Sequence, residues 1–176
     1  MTQQTGLTLI ELLFAMAILA ILTTISVPGF TNLVLNTRMT AQVNRFVHDI
    51  HLAKQTAHRR MQQVALCKSP DGRQCAPNRE WHEGWLVFVN LDRDRPPHVD
   101  PGESILAANP AFESGTISAN RPDFVFRAFE IRSTNGTLTF CDRRGSDAAR
   151  AVIVSYTGRP RMAAVTARKK PLRCPV

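Results

Sequence analysis

No catalytic signature occurs in these 176 residues. There is no G-x-S-x-G, no phosphate-cradling G-x-x-x-x-G-K, no H-E-x-x-H, and no paired carboxylates beside a plausible base, so no enzyme is expected. Cysteine is scarce: the four residues Cys67, Cys75, Cys141 and Cys174 never stand at C-x2-C spacing, which excludes the common zinc modules. Asn90, Asp92 and Asp94 alternate like the start of a calcium loop, but Arg95 holds the glycine position and Pro101 the glutamate position. His48 and His51 could share a helix face, yet no third ligand accompanies them, and with His58 they read as solvated. No cofactor and no metal are expected. There is no internal repeat and no low-complexity tract. Apart from Tyr156, no aromatic residue interleaves with the basic ones, so little base stacking is expected of any nucleic-acid contact.

What is present is a folded, basic chain. A hydrophobic content of 44% with 20% charged residues suits a packed core, and a net charge of +8 with pI ≈ 10.2 suits an anionic partner. The charge is unevenly placed. Residues 121–176 hold 12 Lys/Arg against 4 Asp/Glu, whereas residues 1–120 hold 10 of each, so the last third carries the whole excess. The cysteines form a near and a far pair in a chain that opens with a membrane-targeting segment, which favours two disulfides in an oxidising compartment. Cys67 is expected to join Cys75 across the Pro70–Asp71–Gly72 turn, and Cys141 to join Cys174 as a closure of the tail.

Residues 7–27 form an apolar run whose only charge is Glu11, long enough to cross the hydrocarbon core as a helix. A polar leader, residues 1–6, precedes it and ends in Gly6, the reverse of an ordinary signal peptide with its cleavage site after the apolar stretch. A carboxylate inside such a segment needs a positive partner. Gly6, Leu7, Thr8, Leu9, Ile10 and Glu11 resemble the class III signal of type IV pilins and type II secretion pseudopilins. The resemblance implies cleavage between Gly6 and Leu7 by prepilin peptidase and N-methylation of Leu7. It also implies a single-pass stay in the bacterial inner membrane with a periplasmic head, then packing with other pilins in a filament through Glu11. Pro28 and Gly29 predict a kink or local unwinding. Beyond them, residues 28–60 keep helical spacing, with Phe30, Leu33, Val43, Phe46, Ile50, Ala53 and Ala57 on one stripe.

After Arg60 the period changes to that of strands. Runs at 63–67, 85–90, 104–108, 124–129, 137–141, 151–156 and 162–166 are separated by turn residues, which predicts a β-rich head over 61–176. The stretches around Trp81–Asn90, Gly102–Leu106 and Gly136–Arg161 resemble the FimT/GspH family of minor pilins and pseudopilins. The expected class is α+β: a type IV pilin-like long N-terminal helix packed on an antiparallel two-sheet β-sandwich.

Between Cys141 and Cys174 lie Arg143, Arg144, Arg150, Arg159, Arg161, Arg168, Lys169, Lys170 and Arg173. A disulfide there would hold nine positive charges on one end of the head. Gly158, Arg159, Pro160 and Arg161 sit between two expected strands, so both arginines are predicted at a hairpin tip, where guanidinium groups suit phosphate. These residues match the G-R-x-R motif of the FimT branch, whose members resemble DNA receptors in natural transformation. That likeness implies backbone contacts by Gly158, Arg159 and Arg161, extended by Arg143, Arg144, Arg168, Lys169, Lys170 and Arg173. Two functions remain open at this point. One is a minor pilin that binds extracellular DNA; the other is a GspH-like structural pseudopilin or priming minor pilin of type II secretion or pilus assembly, without DNA.

Overall fold

The computed structural model describes residues 8–128 and 132–175, apart from the side chains of 25–28. Gly6 and Leu7, the expected cleavage and methylation residues, lie outside the described residues, as does Phe129 of one expected strand. The chain forms two compact units, Met1–Thr37 and Arg38–Val176.

The first unit is most of the leading part of one helix, α1, which runs from Leu9 to Arg60. Its start is a capping box. Thr8 Oγ1 accepts the Glu11 N–H at 3.4 Å, while Glu11 Oε2 accepts the Thr8 N–H at 2.9 Å and its hydroxyl at 2.8 Å. Leu9, Ile10, Leu12, Leu13 and Phe14 are each more than half exposed, and the best 18-residue window reaches a mean hydropathy of 2.3. This helix is long and apolar enough to cross a membrane. Of the kink or local unwinding expected at Pro28 and Gly29, the unwinding is absent: the helix continues through both. Proline forfeits a single i→i−4 bond, and an otherwise unbroken ladder on each side carries the helix across that loss.

The second unit holds the remainder of α1 and eight strands. These are β1 (Gln63–Lys68), β2 (Trp85–Asn90), β3 (Ile105–Asn109), β4 (Gly115–Ala119), β5 (Asp123–Phe126), β6 (Gly136–Asp142), β7 (Arg150–Val154) and β8 (Pro160–Ala163). They form two antiparallel sheets, β3-β2-β1-β5 and β4-β6-β7-β8. Met39, Val43, Phe46, Ile50, Ala53 and Ala57 of α1 share one core with Val64, Leu66, Trp85, Val87, Phe124 and Phe126 of the first sheet. Ile117, Leu138, Phe140, Val152 and Val154 of the second sheet complete it. Phe46 is its hub, meeting Trp81, Trp85, Phe124 and Phe140 edge-on at 5.4–6.1 Å. Phe30 and Leu33, expected on the same stripe, are exposed in the first unit.

One carboxylate is sealed into this core. Asp49 Oδ2 accepts the Trp85 Nε1–H at 2.8 Å and the Asn109 Nδ2–H at 2.7 Å, tying α1 to β2 and β3. The disulfides join Cys67 to Cys75 and Cys141 to Cys174. The first secures the loop over the outer face of the first sheet, where Ala65, Leu86, Phe88 and Val125 are buried with Cys75 and Val99 against them.

Candidate nucleic-acid interface

The β7–β8 hairpin carries the G-R-x-R residues on a tightly closed turn. Gly158 N–H donates to the Ser155 carbonyl at 2.9 Å, Ser155 N–H to the Arg159 carbonyl at 3.0 Å, and Arg159 N–H to Ser155 Oγ at 3.2 Å. Gly158 has φ 70, which favours glycine, and a Cβ there would also crowd Phe126 Cε1 and Ser133 Oγ at 3.0 Å. Two further bonds hold the turn from outside: Lys54 Nζ donates to the Thr157 carbonyl at 2.8 Å, and Ser133 N–H donates to the Tyr156 carbonyl at 2.6 Å.

Arg159 projects from this turn and is exposed. Arg161 does not share the tip as expected; β8 begins at Pro160, and Arg161 pairs with Ile153 inside the strand. The reason is that β8 is an edge strand, where a proline at the first position costs no central ladder bond. Ile153 lies on the outer face of the second sheet with Cys141, Ala149, Ala151 and Leu172, so Arg161 lies on that face too.

The tail returns over the same face. Leu172 is 5% exposed, and the Cys141–Cys174 bond fixes the end of the tail to β6. The segment between is a closed turn: Val165 bridges Pro171, Thr166 N–H donates to the Lys170 carbonyl at 2.9 Å, and Lys170 N–H donates to Thr166 Oγ1 at 3.1 Å. Arg168, Lys169, Lys170 and Arg173 are thereby held outward, all exposed.

The cations divide into engaged and free. Arg144 is engaged: its Nη2 lies 2.7 Å from Asp142 Oδ2 and its Nε 3.1 Å from Oδ1. Burial pushes the Asp142 carboxyl up, but the hydrogen bonds and charge of Arg144 outweigh it and hold the group below its ordinary value. Arg150 donates to the Ala149 carbonyl. The side chains of Arg143, Arg159, Arg161, Arg168, Lys169, Lys170 and Arg173 make no hydrogen bond or ion pair among the described residues.

Asp92, Asp94 and Asp100 do converge, their carboxylates lying within 4.8 Å of one another. Asp94 is already committed, with Oδ1 accepting from Asn90 Nδ2 and Oδ2 from the His98 N–H, and His98 Nδ1 stands 3.0 Å away. His48, His51 and His58 are exposed. The supports of the hairpin, Lys54 and Ser133, carry no sequence signal, because Lys54 stands 103 residues from the carbonyl it caps.

Residues 42–158, about two thirds of the chain, match the family described as Type II transport protein GspH. Residues 1–27 match the prokaryotic N-terminal methylation motif. The family match stops at Gly158, so it carries no statement about Arg159 and the tail. No curated protein matches. Among solved structures, the chain is similar to the type IV minor pilin FimU of Pseudomonas aeruginosa in two crystal forms. Each is 16% identical with a TM-score of 0.53, covering 77–78% of this chain and 96–98% of FimU. At that identity the likeness speaks for the fold. Family and fold are those of structural pilins and not of enzymes, and the methylation motif implies processing by prepilin peptidase and association with other pilins. The chain therefore belongs to the GspH family, with an N-terminal methylation motif, an apolar N-terminal helix and a type IV pilin-like fold.

Proposed function

We propose that this minor pilin binds extracellular DNA at the basic end of its head and aids DNA uptake in natural transformation. The observation that carries the reading is the set of cations Arg159, Arg161, Arg168, Lys169, Lys170 and Arg173 on a hairpin and a stapled tail at one sheet, with Arg143 in the β6–β7 connection, none of which makes a side-chain hydrogen bond or ion pair among the described residues. Unpaired guanidinium and ammonium groups gain most from phosphate, since no internal partner must be given up. Their supports are rigid, so little ordering entropy opposes binding. In this reading prepilin peptidase cuts between Gly6 and Leu7, Leu7 is N-methylated, and the head faces the periplasm until the helix leaves the inner membrane for the pilus. Glu11 then pairs with the α-amino group of a neighbouring subunit.

The test is a salt titration of duplex binding by the full chain in nonionic detergent, wild type beside Arg159→Ala/Arg161→Ala. Affinity should fall by about one to two orders of magnitude, and the slope of log affinity against log salt should become shallower by about 2. Melting should be unchanged, because both side chains are exposed. The second reading, a structural pseudopilin or priming subunit, is favoured by the family match itself, which stops short of the basic tail. Absence of DNA binding by the wild type near physiological salt, or an unchanged double variant, would decide for it.

A further inference from the structure

The outer face of the second sheet is only half covered by the tail. Along β6 the inward residues Leu138 and Phe140 enter the core, so Thr137 and Thr139 point outward. Ser118 of β4 stands opposite Thr139 and shares its face. Leu172 and Cys174 cover the neighbouring ground over Cys141, Ala151 and Ile153. What remains is an open groove of ≈ 840 Å³ with Ser118, Thr137 and Thr139 on its floor and Arg168, Lys170 and Arg173 on its tail wall. Its lining holds no aromatic ring and no carboxylate. The three floor hydroxyls make no hydrogen bond among the described residues. The wall is fixed by the Val165–Pro171 bridge, the Thr166–Lys170 bonds and the Cys141–Cys174 staple.

We propose that this groove seats one sugar-phosphate strand of DNA, with the floor hydroxyls bonding phosphate and sugar oxygens and the wall cations neutralising the phosphates. The inference rests on the DNA-binding reading and extends it from the hairpin to a second contact region. Cations beside free hydroxyls match the alternating charge and ether oxygens of a phosphodiester chain. A lining without rings offers nothing for a base to stack on, so the groove takes backbone and ignores sequence. The hairpin stands on the same face. From β6 to β8 is two strand spacings, about 10 Å, which is the axial rise of about three nucleotides of one strand. A strand leaving the groove across β7 therefore reaches Arg161 within a few nucleotides.

The experiment fills the floor without changing charge. Ser118→Leu/Thr139→Leu in the full chain, in nonionic detergent, should bind duplex DNA about tenfold more weakly, with a salt slope shallower by about 1. Thr139→Lys should act in the opposite direction, tightening binding and steepening the slope by about 0.9. Thermal melts establish that each variant is folded, and the lysine variant keeps the test decisive if the leucine pair destabilises the sheet. Leucine and lysine variants with wild-type affinity and slope, in a protein that Arg159→Ala/Arg161→Ala weakens, would overturn the groove and leave the DNA reading standing. A wild type that fails to bind DNA, or retains only a sulfated polysaccharide, overturns both.

Discussion

Asp49 offers a quantitative check on how the head is held together. It is 2% exposed, and among the described residues its carboxylate is the sole acceptor for both the Trp85 indole N–H and the Asn109 amide. Replacing it with alanine leaves two donors inside the fold without a partner. At about 1–3 kcal/mol for each unsatisfied donor, Asp49→Ala should cost about 2–6 kcal/mol. Asp49→Asn should behave differently, because its side-chain oxygen can accept the same two bonds without a charge. Burial raises the Asp49 pKa, opposed by the bonds from Trp85 and Asn109 and by the nearby charges of His48 and Arg45. The folded state thus binds this proton more tightly than the unfolded chain. Its stabilising share is fully present below the unfolded carboxylate pKa and is lost as pH rises through the folded value. Other carboxylates, such as Asp142, act with the opposite sign, so only the difference between wild type and Asp49→Asn isolates this group. That difference should move in favour of asparagine as pH rises from below the ordinary carboxylate pKa through the raised folded value, then level off. The assay is thermal melting of the full chain in nonionic detergent, followed by tryptophan fluorescence, with Trp85 itself as one reporter. A difference that stays flat across that range, or an alanine variant as stable as wild type, would refute the account.

The remaining tests follow from single contacts. Glu11→Ala and Glu11→Gln should both be processed and inserted yet enter pili poorly; normal entry of the glutamine variant, which can keep the capping box with Thr8, would show that capping and not charge is what matters. Cys141→Ser/Cys174→Ser should lose about 3–4 kcal/mol of stability on the loop-entropy relation and weaken DNA binding as the tail is released, read by melts and by filter binding. Gly158→Ala should cost about 1–2 kcal/mol from its positive φ alone and should weaken DNA binding without removing any charge, a combination that distinguishes a displaced hairpin from a neutralised one. Arg143→Ala should weaken DNA binding more than Arg144→Ala, because Arg144 is held by Asp142; equal losses would show that the ion pair opens on binding.

Much of this fold is local in origin, which is why it can be read before any coordinates. The three-and-four spacing of Val43, Phe46, Ile50, Ala53 and Ala57 leads directly to the buried face of α1, and the apolar run Trp85–Asn90 to a strand buried on both faces. β4 escapes such a reading because Gly115–Ala119 buries only Ile117 and is otherwise small and polar. β8 is displaced for another reason: Pro160 looks like turn chemistry, and only its place at a sheet edge admits it to a strand. The staple and the charge excess are written in spacing and composition. The groove is not, since its floor and wall come from segments near 118, 137–139 and 166–173 that meet only through sheet pairing and a disulfide.

The edge strand β8 also bears on how the two functional readings are told apart. Strand alternation sends Arg161 to the outer face with Ile153 and sends Met162 to the opposite side, where it pairs with Val152 and stays 59% exposed. A polyanion and an apolar partner would therefore meet different faces of the same four residues. Truncating Arg161 removes a cation from one face and leaves the apolar side chain on the other in place. A loss of DNA affinity in Arg159→Ala/Arg161→Ala without a loss of pilus entry is then the signature of a phosphate contact, whereas loss of pilus entry alone marks a docking surface. The fixed turn strengthens that distinction: with Gly158, Lys54 and Ser133 holding the backbone, removing two exposed side chains leaves the strand where it was.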